Sequence, residues 1–142
     1  MDYDQLSSSM LLSMKKIRDS QIQKQINASM QGEMFVLQYL ANQGHEMSPS
    51  EISDAMQVST ARVAATLNSL EDKGRITRQI DPDDRRRILV GLTSAGSQEA
   101  EEHSAMVLGN VAEMLRGLGE QDAQEFVRII GRLAEIFTQR AE

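Results

Sequence analysis

The 142-residue sequence contains no cysteine and no tryptophan, and it has only two prolines, three phenylalanines and two tyrosines. The absence of cysteine excludes disulfides, thiolate metal sites and thiol-based redox sensing. No apolar run approaches the roughly 20 residues that a membrane-spanning helix requires. Residues 1–16 also lack the basic start, apolar core and cleavage site of a signal peptide. We therefore expect a cytoplasmic protein that does not associate with a membrane.

The charge of the chain is unevenly distributed. The formal net charge is −6, yet residues 58–92 contain seven Lys and Arg against five Asp and Glu, a local charge of +2. The remaining residues carry eight basic and sixteen acidic side chains, a charge of −8. This asymmetry indicates one face suited to a polyanion. The length and the 40% of apolar residues predict one domain over residues 1–142.

The middle of the sequence carries the local signals of two short helices joined by a turn. In MSPSEISDAMQV, Ser48 is positioned to cap a helix that has Pro49 at its first position. Glu51, three residues after the cap, completes a capping box. Ser59 is positioned to cap a second helix, whose core-facing residues recur at helical spacing: Val63, Leu67 and Leu70. The short connection between the two helices is typical of a helix-turn-helix.

Two short strands and a charged turn follow these helices. RITRQI and RILVGLT carry alternating apolar side chains, and DPDDRR between them consists largely of turn formers. We expect Ile76 and Ile80 to share one face of the first strand, separated from Arg75 and Arg78. A helix-turn-helix followed by such a hairpin predicts a winged helix, whose wing displays arginines toward a phosphate backbone or a groove.

Long amphipathic helices are predicted at both ends of the chain. Apolar residues recur at helical spacing in both terminal regions, and GLGEQD interrupts the second. These helices have more apolar surface than the middle of the chain can cover, so we expect a homodimer, the commonest assembly. The predicted fold class is mainly α with a small β-wing. A winged helix-turn-helix lobe over residues 32–93 is flanked by dimerisation regions at 1–28 and 94–142.

The run Asp84-x-Arg86-x-x-x-Val90-x-Leu92-Thr93 resembles the wing signature of the MarR (multiple antibiotic resistance regulator) transcription factors. LEDKGRITR before it is similar to that family's transition from recognition helix to wing, and the helix order and chain length agree. The resemblance implies a dimeric DNA-binding regulator without enzymatic activity or cofactor. It further implies a repressor that binds a pseudo-palindromic operator and is released by a small-molecule effector.

The same resemblance assigns candidate DNA contacts. It makes Asp84 the brace that directs Arg86 into the minor groove; alternatively, the two form only an exposed ion pair of little energetic value. Arg62 is the best base reader, because its guanidinium fits the major-groove edge of guanine, although it can equally contact phosphate. Of Arg85 and Arg87, we expect one to touch phosphate. The other candidates are Ser48, Ser59, Thr60, Ala61, Ala65, Asn68, Ser69, Lys73 and Arg78.

An effector site of the kind this family often has would lie between the dimer helices and the DNA-binding lobe. Methionines at helical spacing are also typical of core or dimer packing. His45 and His103 belong to no cluster with metal-ligand spacing, so we expect no metal site. The candidate effector contacts are Met10, Met14, Met34, Phe35 and Tyr39.

Two other classes of function are open to a chain of this kind. An enzyme would need a nucleophile, a base or a phosphate-binding glycine loop, and no such arrangement is present, so we assign no catalytic residue. A winged helix that serves only as a protein-interaction module accounts for the fold but leaves the arginine-rich tip unexplained. Salt distinguishes the last class from a DNA-binding protein, because DNA affinity falls steeply as counterions are released.

Overall fold

The computed structural model describes residues 1–21, 24 and 32–140. In chain order these residues form α1 (Tyr3–Arg18), α2 (Glu33–Gln43), α3 (Pro49–Met56), α4 (Thr60–Asp72), β1 (Ile76–Ile80), β2 (Ile88–Leu92), α5 (Ser94–Leu118) and α6 (Glu120–Gln139). The predicted fold class, mainly α with a small β-wing, is confirmed. Of the predicted dimerisation regions, residues 22, 23, 25–28, 141 and 142 lie outside the described residues. The chain divides into two compact units, residues 1–103 and 104–142.

Both helices of the helix-turn-helix begin as predicted. The Ser48 Oγ accepts a hydrogen bond from the Glu51 N–H at 3.2 Å, and the Glu51 Oε2 accepts one from the Ser48 N–H at 2.7 Å. The Ser59 Oγ accepts from the Arg62 N–H at 3.2 Å and caps α4. Between the helices Gln57 has a φ of 55°, the left-handed conformation that ends α3. The predicted helix-turn-helix is confirmed.

The core of the first unit lies where α2, α3, α4 and the base of the wing meet. The predicted core residues of α4 are confirmed, since each is at most 1% exposed. Burying each such side chain contributes roughly 1.5–3 kcal/mol, so these contacts hold α4 in place. The buried apolar residues are Val36, Leu37, Leu40, Met47, Ile52, Val63, Leu67, Leu70, Ile76, Val90 and Ala100.

The wing is a two-stranded antiparallel sheet in which Ile76 pairs with Leu92. Met47 adds an antiparallel bridge to Val90, with N–H to carbonyl distances of 3.0 and 2.7 Å. The expected separation of Arg78 from the isoleucines of β1 is wrong. Alternate residues of a strand share a face, and Arg78, opposite Val90, therefore lies on the same face as Ile76.

The start of α5 is attached to the end of α4. The Thr93 Oγ1 accepts from the Gly96 N–H at 3.1 Å, as a cap, and donates to the Gly74 carbonyl at 2.7 Å. Gly96 approaches Arg75 so closely that a Cβ on it would lie 2.0 Å from the Arg75 carbonyl oxygen. Glycine is therefore required at this joint.

Helices α1 and α6 keep apolar stripes that the single chain leaves exposed. Neither helix contains a buried residue. None of the described helices combines the length and the apolar character needed to cross a membrane. The stripe of α6, predicted from its periodicity, consists of Phe126, Ile129, Ile130, Leu133, Ile136 and Phe137.

Candidate nucleic-acid interface

Helix α4 buries one face and exposes the other. Its capping residue Ser59 and the candidates Thr60, Ala61, Arg62, Ala65 and Asn68 are all exposed. Arg62 has no acidic partner among residues 1–21, 24 and 32–140. The small side chains of Ala61 and Ala65 beside it leave room for the close approach of another surface. The exposed face therefore presents one free guanidinium among small and polar side chains.

The tip of the wing projects Arg86 into solvent, where its side chain is 92% exposed. The Asp84 Oδ1 accepts from the backbone N–H of Arg86 at 3.1 Å and from its Nε at 3.2 Å. An exposed pair of this kind adds little to stability, but the two contacts restrict the directions in which the guanidinium can point. Arg85 is exposed and has no acidic partner in the part of the chain that the structure describes.

Two further candidate cations are held by glutamates from other elements. The Lys73 Nζ lies 2.7 Å from the Glu33 Oε2, and the Ser69 hydroxyl donates to the other oxygen of Glu33. These hydrogen bonds lower the pKa of the Glu33 carboxyl. Arg78 donates to both oxygens of Glu71, at 3.1 and 3.0 Å. That bidentate pair lowers the pKa of Glu71 and raises that of Arg78.

Arg75 and Arg87 are also paired. Arg75 forms an ion pair with Glu99 at the start of α5, and the Arg87 Nη2 lies 3.0 Å from the Glu51 Oε1. The hydrogen bond from the Ser48 N–H lowers the pKa of Glu51, and the Ser48 hydroxyl and Arg87 act in the same direction. Ser48 itself is 7% exposed, so its position in the fold is that of a helix cap.

The positive charge of the lobe is thus concentrated at a few groups. Of the seven Lys and Arg of residues 58–92, five have an acidic partner. Arg62 and Arg85 are the two without one among the described residues. Four of these five partners were not recognised from sequence as part of this surface: Glu33, Glu51, Glu71 and Glu99. Only Glu51 carried a local signal, the capping box, and that signal concerned α3 alone.

The candidate effector contacts fall on two helices. On α2 the rings of Phe35 and Tyr39 are stacked, with centroids 5.9 Å apart and planes at 13°. Met34 and Tyr39 pack against the core. On α1, Met10 and Met14 are 56% and 54% exposed. Within the described residues, no group of three His, Asp or Glu side chains is arranged to hold a metal ion.

Comparisons with known proteins agree with this geometry. Residues 29–87 match the model of the MarR family. The chain is 24% identical over 91 residues to the HTH-type transcriptional repressor YetL of Bacillus subtilis, an alignment that covers 64% of this chain and 54% of YetL. The chain therefore spans about half the length of that curated relative.

Solved structures share the fold over nearly the whole chain. The YusO protein of Bacillus subtilis is 30% identical, with a TM-score of 0.80 over 95% of this chain and 99% of that one. FabT of Streptococcus pneumoniae, solved in complex with DNA, is 19% identical, with a TM-score of 0.64 over 97% and 99% of the two chains. The chain belongs to the MarR family of winged helix-turn-helix transcription regulators, which are DNA-binding proteins and not enzymes.

Proposed function

We propose that this chain is a transcription repressor that binds double-stranded DNA as a homodimer on a pseudo-palindromic operator. The observation that carries the proposal is that one lobe presents both the exposed face of α4, with Arg62, and a wing tip whose Arg86 is braced by Asp84. An arginine on a recognition helix suits guanine in the major groove. An arginine on a wing suits the negative potential of a narrow minor groove. The name of YetL and the DNA complex of FabT support this function.

We propose separate regions for DNA contact and for dimerisation, on the basis of the exposed apolar stripes. Residues 32–93 contact DNA, and residues 1–28 and 94–142 form the dimer. The support is the exposure of α1 and α6, which have no buried residue in the single chain. Contiguous exposed apolar surface of this kind is typical of an interface. A two-fold dimer also doubles the number of unpaired arginines that one operator meets.

A small-molecule effector that releases the dimer from DNA completes the proposal. The stacked, half-buried rings of Phe35 and Tyr39 are the feature that supports it, because a planar ligand can pack against such rings. A compound that weakens DNA binding by the parent should lose its effect in Tyr39→Ala and keep it in Tyr3→Ala. Equal responses of the two variants would contradict a site at Tyr39.

The experiment for DNA binding combines selection of genomic fragments with titrations at several salt concentrations. We expect the affinity of the parent to fall steeply with salt, with a slope of about −0.9 for each phosphate neutralised. The double variant Arg62→Ala/Arg86→Ala should bind at least about tenfold more weakly. The matched control, Arg116→Ala/Arg128→Ala, removes the same charge from residues 104–140 and should bind nearly as the parent does. Equal losses in both double variants, or no fragment bound, would overturn the proposal.

One observation favours a second candidate, a winged helix that binds another protein. Five of the seven cations of residues 58–92 are already neutralised within the chain, which suits a surface that meets a protein better than one that meets only phosphates. A partner protein bound with an affinity nearly independent of salt, together with no selected DNA fragment, would favour this candidate.

A further inference from the structure

Arg87 closes the turn of the wing. Its backbone N–H donates to the Asp84 carbonyl at 2.9 Å, and its own carbonyl accepts from the Asp81 N–H at 2.9 Å. Its side chain does not extend the basic tip, because the Nη2 is hydrogen-bonded to the Glu51 Oε1 at 3.0 Å. Arg87 therefore differs from its neighbour Arg86, whose side chain is almost fully exposed.

Glu51 uses both of its carboxylate oxygens to connect two elements. The Oε2 accepts from the Ser48 N–H at 2.7 Å and caps α3, while the Oε1 holds Arg87 of the wing. Both partners of the Glu51–Arg87 pair are about half exposed, 43% and 45%, so the pair contributes little to the free energy of unfolding. Its main consequence is geometric, because it ties the turn of the wing to the first turn of α3.

A second connection joins the same two elements. Met47, which precedes the cap of α3, exchanges two backbone hydrogen bonds with Val90 of β2. With attachment only there and at the Arg78–Glu71 pair near the base of β1, the turn of the hairpin could still swing. Val90 and Arg87 are three residues apart, about 10 Å along an extended strand, and attachment at both points opposes that motion.

We propose that Glu51 is a positioning residue for the wing. By holding Arg87 it sets the angle of the hairpin against α3, and this angle directs Arg86 toward the minor groove. Arg87 acts through Glu51 and does not contact phosphate itself. This inference rests on the proposed DNA binding and adds to it a role for a carboxylate beside the basic surface.

The sign of one substitution distinguishes positioning from simple electrostatics. Glu51→Gln removes a negative charge from the DNA-binding lobe, which by charge alone strengthens binding to a polyanion. Its side-chain oxygen can still accept from the Ser48 N–H, so the cap of α3 is retained. If Glu51 positions the wing, Glu51→Gln should instead weaken binding, by about two- to fivefold. Asp54→Asn, which removes the same charge from the same helix, serves as the control and should bind as tightly as the parent or more tightly.

A double-mutant cycle tests the pathway through Arg87. Arg87→Met should weaken binding as much as Glu51→Gln, and the double variant should be no weaker than either single one, because both break the same link. The preference for A·T-rich flanks should fall in each, whereas a general loss of stability lowers affinity for all operators alike. Tighter DNA binding by Glu51→Gln than by the parent would overturn the inference. So would a fall of about one unit per subunit in the salt dependence of DNA affinity of Arg87→Met, because such a fall indicates the loss of a phosphate contact.

Hydrogen exchange in the absence of DNA provides a separate readout. The Asp81 and Arg87 amides, which close the turn, should exchange faster in Glu51→Gln than in the parent, with Asp54→Asn unchanged. Equal protection in all three proteins would overturn the inference. A parent that binds no DNA would overturn the proposed function, whereas a DNA-binding parent with an unaffected Glu51→Gln variant would overturn this inference alone.

Discussion

The arginines of the winged helix-turn-helix lobe differ chiefly in their partners. Arg62 on α4 has no acidic partner among the described residues, Arg86 has one two residues away, and Arg87 is held by Glu51 from another element. A guanidinium without an acidic partner is free to bind a phosphate or a base. One that is paired only within its own exposed turn can give up that ion pair for a phosphate or a base at little cost in free energy. We therefore expect substitutions of neighbouring arginines to have unequal effects.

Replacing Arg86 should weaken binding most on operators with A·T-rich flanks, where the minor groove is narrow and its potential most negative. Asp84→Ala should reproduce part of this loss, because it removes the acceptor that restricts Arg86. Arg62→Ala should cost about 1–3 kcal/mol and relax the preference at one base pair if its contact is bidentate. Titrations of the three variants against operators with A·T-rich and G·C-rich flanks check this. Parent-like binding of both operators by Arg86→Ala would show that the wing is only a solvated turn.

Two glycines of α5 should respond in opposite directions to the same change. Gly96→Ala forces a Cβ to within 2.0 Å of the Arg75 carbonyl oxygen, so the joint must shift. The expected loss is about 1–3 kcal/mol of the free energy of unfolding. Gly109→Ala, where among the described residues no atom beyond the adjoining backbone of its own helix lies within 4 Å of the added carbon, should gain about 0.5–1 kcal/mol from helix propensity. Urea denaturation of the two variants tests this, and a loss at both positions would contradict it.

At the scale of elements, carboxylates join helices that are distant in sequence. Glu33 in the first turn of α2 binds Lys73 and Ser69 at the end of α4. This contact joins the start of α2 to the end of α4, the helix that carries Arg62. The contact depends on the ionised form of Glu33, whose pKa is lowered by Lys73 and Ser69.

The stability of the protein at acid pH should therefore depend on the ionisation of Glu33. Because its pKa is lower in the folded chain, its contribution is fully present above the ordinary glutamate pKa of about 4.3 and is lost as the pH falls through the lowered value. The difference in melting temperature between the parent and Glu33→Gln should be largest at neutral pH and should shrink on acidification. Glu101→Gln, whose carboxylate has no ion-pair partner among the described residues, is the control. A difference independent of pH would refute this role for Glu33.

The exposed stripe of α6 should determine assembly. Ile130 is 47% exposed in the single chain although it lies among five other large apolar residues of the helix. Ile130→Glu introduces a charge that would be buried in a dimer, and sedimentation at micromolar concentration should show a monomer. Gln124→Glu adds the same charge outside the stripe and should remain dimeric. A parent protein that sediments as a monomer would contradict the proposed homodimer.

For the whole molecule, two-fold symmetry would make the operator symmetric too. Two recognition helices related by a two-fold axis enter successive major grooves roughly 34 Å apart, on an inverted repeat with half-sites about 10 bp apart. Footprinting of the selected fragments should show two equivalent protected regions. The Ile130→Glu variant should lose most of its affinity, because each half-site is then bound alone. A single protected half-site with the parent would argue against this arrangement.

Local signals along the chain were enough to predict most of the local structure. The caps at Ser48 and Ser59 and the apolar spacing of α4 were predicted, because each rests on hydrogen bonds or periodicities within a few residues. The Asp84–Arg86 contact is local as well, but it was the resemblance to the MarR wing signature that pointed to it. Alternation along β1 was misread at Arg78, although the period of two determines the face of that residue.

Which charges of the lobe are available to another molecule depends on tertiary packing. Lys73 and Glu33 are 40 residues apart in sequence, and Arg87 and Glu51 are 36 apart. No local pattern records such pairs, because the packing of α2, α3 and the wing around the buried core brings them together. The close approach of Gly96 to the Arg75 carbonyl has the same origin. Count and sign of charge are properties of the sequence, whereas the partner of each charge depends on how the elements pack.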